Sequence, residues 1–182
     1  MSNNRIITLD VDGVVADLLT VWLDKYNTDY GDHLKTTDIT RWNTHEFVKP
    51  ECGKSIYDYL LDRNLYDDVL PYKDAVSAIK RIKYLGFRIV YVTVTPVEFM
   101  GTKFQWLKDW DLIEHVADYI EAADKSLIRA GYLVDDRPEN LNYFKGTRIL
   151  FGQPWNADKQ NNPKYIYINS WEEVAEYFTS RI

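Results

Sequence analysis

Two pairs of carboxylates stand where apolar runs end. Asp10 and Asp12 close the run that contains Ile6, Ile7, Leu9 and Val11, and Asp135-Asp136 follows Tyr132-Leu133-Val134. A charge in a buried strand costs several kcal/mol, on the order of a small domain's whole stability margin, so something must compensate it. Side chains two apart in a strand share a face, and a turn at Asp12 would set the two carboxylates on different sides of one substrate. Such a pair suits a reaction in which one carboxylate attacks and the other carries a proton. If the electrophile is phosphorus, the product is an aspartyl-phosphate. The leaving alkoxide then needs an acid, and the later water needs a base. Thr93, at the end of another apolar run, and Lys125 offer the hydroxyl and ammonium donors that would neutralise charge on phosphoryl oxygens. Thr95, just before Pro96, is the alternative hydroxyl. Converging carboxylates repel unless a cation lies between them, and hard oxygen donors with few thiols or imidazoles nearby select Mg²⁺ over zinc.

The elements that must position these groups follow from periodicity. Ile6 to Val11 reads as a strand covered on both faces, and Gly13 permits a sharp turn. Leu18, Val21, Trp22 and Tyr26 recur at helical spacing over Asp17 to Asn27, with Asp17 expected to satisfy backbone donors at the helix start. Thr28 to Leu70 mixes turn residues with short helical pieces such as Ser55 to Asp62, and is read as a mostly helical insert with its own small core. Pro71 marks the return. A helix over Asp74 to Leu85, stopped by Gly86, precedes a strand over Phe87 to Val92. A helix over Gly101 to Trp110, a short strand over Asp118 to Glu121, a helical turn from Lys125 to Ala130 and the strand Tyr132 to Val134 come next. Thr147 to Phe151 and Tyr165 to Ile168 are the last strands, separated by a polar loop from Gly152 to Pro163. Ser170 and Glu173 form a capping box for the terminal helix through Phe178. Strands alternating with helices imply an α/β, doubly wound parallel sheet, whose ligands bind beyond the carboxyl ends of the strands. That places Asp10, Asp12, Thr93, Asp135 and Asp136 on one rim.

Bulk properties narrow the class. The 182 residues suffice for one well-buried core with an insert, and 46% hydrophobic with 27% charged residues is the composition of an ordinary globular protein. A net charge of -6 disfavours a long nucleic-acid duplex as partner. Cys52 is the single cysteine, which excludes an intrachain disulfide and a thiolate zinc site. No run approaches the roughly 20 apolar residues of a membrane span, and the N-terminus carries no signal core, so the expected location is cytoplasmic. His33, His45 and His115 have no metal-ligand spacing. An EF-hand fails as a reading of the first motif, because its twelfth position counted from Asp10 is Val21 and no helix precedes it.

In chain order, DVDGV, the strand-ending Thr93, Lys125 and LVDDRPEN resemble the four motifs of the haloacid dehalogenase superfamily of phosphotransferases. The longer strings DVDGVVAD, VTVTP and DDRPEN, with the DK before a short helix, are similar to its 5'(3')-deoxyribonucleotidase branch, phage and bacterial members included. The resemblance spans roughly Ile6 to Phe151. It implies a Rossmann-like haloacid dehalogenase core at 1–17 and 71–182, with a small helical cap, 18–70, inserted after the first strand. It further implies Asp10 as nucleophile, Asp12 as general acid/base, and Thr93 and Lys125 as phosphate-binding residues. Asp10, Asp136 and the Asp12 carbonyl would hold Mg²⁺, with Asp135 behind them or as an added ligand. Arg137 would face the substrate, and Arg41-Trp42-Asn43 places Trp42, beside Arg41, where that branch keeps an aromatic residue near the nucleobase. One departure is Val94, which separates Thr93 from Thr95 where the branch has adjacent hydroxyls.

The function expected from this resemblance is a Mg²⁺-dependent phosphomonoesterase acting on nucleoside 5'-monophosphates, deoxyribonucleotides above all, with a small-molecule nucleotide as partner and no membrane. The sequence leaves a homodimer open. Rival readings are a phosphatase of the same fold acting on another small ester or a nucleic-acid 3'-phosphate, and a phospho-receiver module. The module carries its acidic pair first and a single acceptor Asp later, whereas here Asp-x-Asp comes first and the adjacent pair last.

Overall fold

A computed structural model describes residues 3–181. Six parallel strands, β1 (Ile6–Leu9), β2 (Arg88–Thr93), β3 (Tyr119–Glu121), β4 (Tyr132–Asp135), β5 (Thr147–Phe151) and β6 (Ile166–Ile168), form one sheet in the order β3-β2-β1-β4-β5-β6. The helices are α1 (Leu18–Tyr30), α2 (Ala75–Tyr84), α3 (Thr102–Asp109), α4 (Pro138–Asn142) and α5 (Trp171–Thr179). This is the doubly wound architecture expected from the alternation of strands and helices. The direction of winding reverses between β1 and β4, the place where such sheets open a crevice. Leu9 pairs with Val134 in register, so Asp10 and Asp135 emerge side by side at that crevice.

Alternation along each strand sorts the core. Ile7, Leu9, Ile89, Tyr91, Val134, Ile149 and Phe151 point to one face and pack with Ile79, Ile82, Trp171 and Phe178 from α2 and α5. Leu133 and Leu150 point to the other face and meet Leu141 and Phe144. Thr8, also buried, satisfies its hydroxyl by donating to the Tyr132 carbonyl at 2.8 Å.

The chain leaves the core at Asp17 and returns at Pro71, and the two crossings are hydrogen-bonded: the Asp17 amide donates to Leu70 O and the Tyr72 amide to Val15 O, both at 2.9 Å. Between them, α1 contributes Leu19, Trp22, Leu23 and Tyr26 to a separate cluster with Ile39, Val48, Cys52 and Ile56. The rest of this segment is irregular chain interrupted by 3-10 turns, of which Gly53–Leu61 is the longest. Helix α1 runs three residues beyond the expected Asn27, to Tyr30. It ends where Gly31 takes the left-handed φ of 56° and returns its amide to Asn27 O.

Three local expectations are corrected. The Asp17 carboxylate takes no backbone amide and instead accepts the Thr20 hydroxyl at 2.8 Å. The capping box at α5 is split: Ser170 Oγ accepts the Glu173 amide at 3.3 Å, while the Glu173 carboxylate takes the amide of Asn169, not of Ser170. The loop after β5 is not simply polar. It holds a 3-10 turn, Pro154–Lys159, anchored by the buried Asn156, because sequence-local polarity says nothing about a side chain that completes distant backbone groups. Among the described residues, no helix is long and apolar enough to cross a membrane.

Asn156 donates from Nδ2 to Asp136 O at 2.6 Å and Phe151 O at 2.9 Å, and accepts the Gln153 amide at 2.9 Å. Asn156→Ala strands two buried carbonyls and the part-buried Gln153 amide, and at about 1–3 kcal/mol for each buried unsatisfied group the variant should lose about 2–6 kcal/mol of stability, read as a lower urea midpoint with unchanged m-value.

Candidate active site

The end of β1 is folded tightly on itself. Asp10 donates its amide to Val134 O at 2.9 Å, its Oδ1 accepts the Val11 amide at 2.7 Å, and the amides of Val15 and Ala16 close on Val11 O. Gly13 sits in that turn with φ of 72°, and a Cβ built there would lie 2.5 Å from Asp136 Oδ2. Glycine is therefore required twice, by the backbone conformation and by the approach of a carboxylate.

Asp10, Asp135 and Asp136, all buried, each present a carboxylate oxygen within 4.8 Å of one another. Lys125 lies between two of them, its Nζ 2.8 Å from Asp10 Oδ2 and 2.7 Å from Asp135 Oδ2. Asp135 is further saturated by the Arg137 amide at 2.9 Å and by Asn140 Nδ2 at 3.0 Å, which makes it a support for its neighbours. Among the described residues, the Asp136 carboxylate accepts a hydrogen bond from one side chain, Trp155 Nε1 at 2.9 Å. Burial, opposed by Lys125 and reinforced by Asp135, pushes the Asp10 carboxyl up to about 6. Burial and then the charges of Asp135 and Asp10 push Asp136 well above the usual carboxylate range. For Lys125, burial is the largest influence and works against its charge, but Asp10 and Asp135 together outweigh it and leave its pKa raised. One ammonium thus faces three carboxylates. Hard oxygen donors, short of positive charge and joined by no imidazole or thiol among the described residues, fit a divalent cation such as Mg²⁺.

Asp12 stands apart from this cluster. Its Oδ1 accepts a hydrogen bond from the Tyr66 hydroxyl, and its Oδ2 accepts from Lys103 Nζ at 2.6 Å. Burial and the Asp12 charge push the Tyr66 phenol well up, which keeps it a donor. Lys103 also donates to Thr93 Oγ1 at 2.9 Å and to Val94 O at 2.6 Å.

A cavity of about 340 Å³ opens over these strand ends. Its lining combines Asp10, Asp12, Thr93, Lys125 and Asp136 with the apolar surfaces of Trp22, Ile39, Trp42, Tyr57, Leu60 and Trp155. Thr95 is buried but does not line the cavity, whereas Thr93 does. Arg137 lies with its guanidinium 4.5 Å from the ring centre of Trp42, joining the β4 loop to the 18–70 segment. Trp42 is half exposed rather than packed in a core. Arg41 sits at the rim, paired with Glu46 at 3.1 Å.

All the sequence-derived candidates except Thr95 therefore either line this cavity or, as Asp135 does, support it. Sequence reasoning missed Tyr66, Lys103, Asn140 and Trp155. Asn140 lies within the DDRPEN string and was within reach. Tyr66 and Lys103 carry no local signal, being 54 and 91 residues from the carboxylate they hold.

Residues 4–181 match the family described as 5' nucleotidase, deoxy (pyrimidine), cytosolic type C protein. A 5'(3')-deoxyribonucleotidase of Clostridium acetobutylicum is 31% identical over 172 residues, covering 94% of this chain and 93% of that protein. A protein of the same name from Bacillus subtilis is 30% identical over 174 residues, covering 93% and 96%. Among solved structures, a haloacid dehalogenase family hydrolase from Deinococcus radiodurans, with bound phosphate and sodium, superposes with a TM-score of 0.68 at 12% identity, covering 99% of this chain and 97% of the other. At that identity the likeness concerns the fold.

A carboxyl whose pKa is raised by folding stabilises the native state fully below about pH 4, and that contribution is lost as pH rises through about 6. The metal-free protein should therefore lose stability between pH 4 and 7. A divalent cation, which binds the deprotonated groups, should restore it, raising Tm by roughly 5–10 °C at pH 7.5 when present at about 100 times its Kd, and by much less at pH 5. Gly13→Ala should cost about 1–3 kcal/mol in a urea titration and, by displacing Asp136, abolish that cation-dependent rise in Tm.

Proposed function

The chain belongs to the 5' nucleotidase, deoxy (pyrimidine), cytosolic type C family, and on that premise we propose that it is a Mg²⁺-dependent phosphomonoesterase of nucleoside 5'-monophosphates, deoxyribonucleotides foremost. The observation that carries this reading is one cavity with two kinds of lining. Carboxylates, a hydroxyl and an ammonium suited to phosphoryl transfer line it together with aromatic side chains suited to a flat base. The relatives named 5'(3')-deoxyribonucleotidase support the substrate class.

In the proposed reaction Asp10 Oδ attacks phosphorus in line with the ester oxygen. The P–O bond to the sugar breaks, and Asp12 gives its proton to the departing oxygen, releasing the nucleoside and leaving an aspartyl-phosphate on Asp10. Asp12, now a base, takes a proton from a water that attacks phosphorus, which frees inorganic phosphate and restores Asp10. Lys125 and Thr93 hold the phosphoryl oxygens while charge moves across them. A Mg²⁺ ion held by Asp10, Asp136 and the Asp12 carbonyl would supply fixed positive charge beside the phosphoryl group. Asp135 orients Lys125, consistent with its saturated hydrogen bonds. The 18–70 segment acts as a cap, with Trp42, Arg41 and Arg137 on the base side of the cavity.

Phosphate release from a panel of deoxyribonucleoside, ribonucleoside and sugar monophosphates, the 3'-phosphates included, tests the reading. Turnover should be fastest with deoxyribonucleotides, require Mg²⁺ and vanish with EDTA. Asp10→Asn should fold normally and lose at least about 10³-fold in kcat, a loss of about 4 kcal/mol in transition-state stabilisation. Metal-independent turnover, or an active Asp10→Asn, would overturn it. Trp42→Ala should raise KM for nucleotides about tenfold, within the 1–3 kcal/mol of base stacking, and leave sugar phosphates unaffected.

A further inference from the structure

Two buried polar side chains, Lys103 and Tyr66, have no part in the reaction as written, yet both end on Asp12. Neither lines the substrate cavity. Each oxygen of the Asp12 carboxylate receives one of them, Oδ1 from the Tyr66 hydroxyl and Oδ2 from Lys103 Nζ at 2.6 Å. A carboxylate has about four acceptor sites, so each oxygen keeps a lone pair for a substrate or a water. The Asp12 side chain is 31% exposed while that of Lys103 is 5% exposed, so the carboxylate is gripped from behind and open in front.

The grip is itself held rigidly. Lys103 places its ammonium on three acceptors, Asp12 Oδ2, Thr93 Oγ1 and Val94 O, which uses all three of its protons. It thereby ties the end of β1 to the end of β2, fixing the separation between the proton carrier and the phosphate-binding hydroxyl. Trp106 lies three residues further along α3, on the same face of the helix. Its ring meets that of Tyr66 edge-on, with centroids 5.8 Å apart and planes at 85°, and its Nε1 donates to Val69 O at 2.8 Å. One helix therefore reaches Asp12 by two routes, directly through Lys103 and through Trp106 and Tyr66. A side chain that must deliver a proton along one direction gains most from such restraint, since small misplacements of reacting groups cost large factors in rate.

We infer that Tyr66 and Lys103 are positioning residues that fix the Asp12 carboxyl for proton transfer to the leaving oxygen. The inference rests on the phosphomonoesterase reading above and deepens it. In the step concerned, the Asp12 O–H bond breaks as the new O–H bond forms on the sugar oxygen and the P–O bond to that oxygen breaks. The proton is regained from the attacking water.

The test compares two leaving groups. A sugar alkoxide needs the proton. A 4-nitrophenolate, a weak base, leaves without it. The ratio kcat/KM reports only steps through the first irreversible one, the transfer to Asp10, so it isolates this proton. Tyr66→Phe keeps the ring and its contact with Trp106 and removes only the hydroxyl. It should lower kcat/KM for a deoxyribonucleoside 5'-monophosphate at least about tenfold, part of the 10²–10⁴-fold that general acid catalysis supplies, while 4-nitrophenyl phosphate changes less than about threefold. Lys103→Met also releases Thr93 and Val94 O, so it should slow both substrates, the nucleotide by at least about tenfold more, and Tyr66→Phe, which leaves Thr93 held, decides. An equal loss on both substrates, or no loss on either, overturns the inference. If the wild-type protein prefers another alkyl phosphate, the nucleotide reading fails by itself, and the same ratio measured with that ester still judges Tyr66. If it hydrolyses no phosphate ester, both fall.

Discussion

Charge balance at the junction of β1 and β4 governs the rest of this protein. The sheet order makes these two strands neighbours at the point where winding reverses, so the carboxylates that end them must meet. Three buried carboxylates within 4.8 Å would repel strongly in a poorly hydrated crevice, and Lys125 offsets the charge of only one of them. Much of the surrounding structure serves this imbalance. Lys125 is buried, at a cost, between Asp10 and Asp135. Asn140 and the Arg137 amide saturate Asp135, and Trp155 is brought from the loop after β5 to Asp136. The remaining deficit of positive charge is why a divalent cation suits the site, and why Asp10 and Asp136 hold their protons more tightly without one.

Two residues of separation give Asp10 and Asp12 opposite surroundings. Asp10 continues the line of β1 and joins the acidic cluster. After the turn at Asp12, the second carboxylate points away from that cluster to a phenol and an ammonium. The Gly13 turn that produces this divergence also admits Asp136 to the crevice, so one local conformation serves both halves of the site. Groups of like chemistry are thereby separated into a mutually repelling cluster and a carboxylate held by a phenol and an ammonium.

Much of this was readable along the chain. The apolar runs of Ile6 to Val11 and Tyr132 to Val134 identify buried parallel strands, and the strand-ending position of Asp10, Thr93 and Asp135-Asp136 follows from where those runs stop. The same reasoning failed where a side chain works at long range. Asn156 in a loop that looks polar is a buried strut, and Asp17, a plausible cap, binds a hydroxyl instead. Lys103 resembles any helix lysine until α3 is packed, and its burial against Asp12 depends on contacts 91 residues apart.

By itself the sequence determined the alternation of strands and helices, the polarity of the sheet, and the identity of the groups at its carboxyl edge, because hydrophobic period, turn residues and motif order are properties of neighbouring positions. Only the tertiary structure decided which carboxylates share an environment, that Thr93 and not Thr95 faces the cavity, that Trp42 lies against Arg137, and that Asp12 is held by Tyr66 and Lys103. Those outcomes depend on distances between strand ends and loops far apart in the chain. They are set by packing, by burial and by the need to satisfy each buried polar group, none of which a local pattern contains.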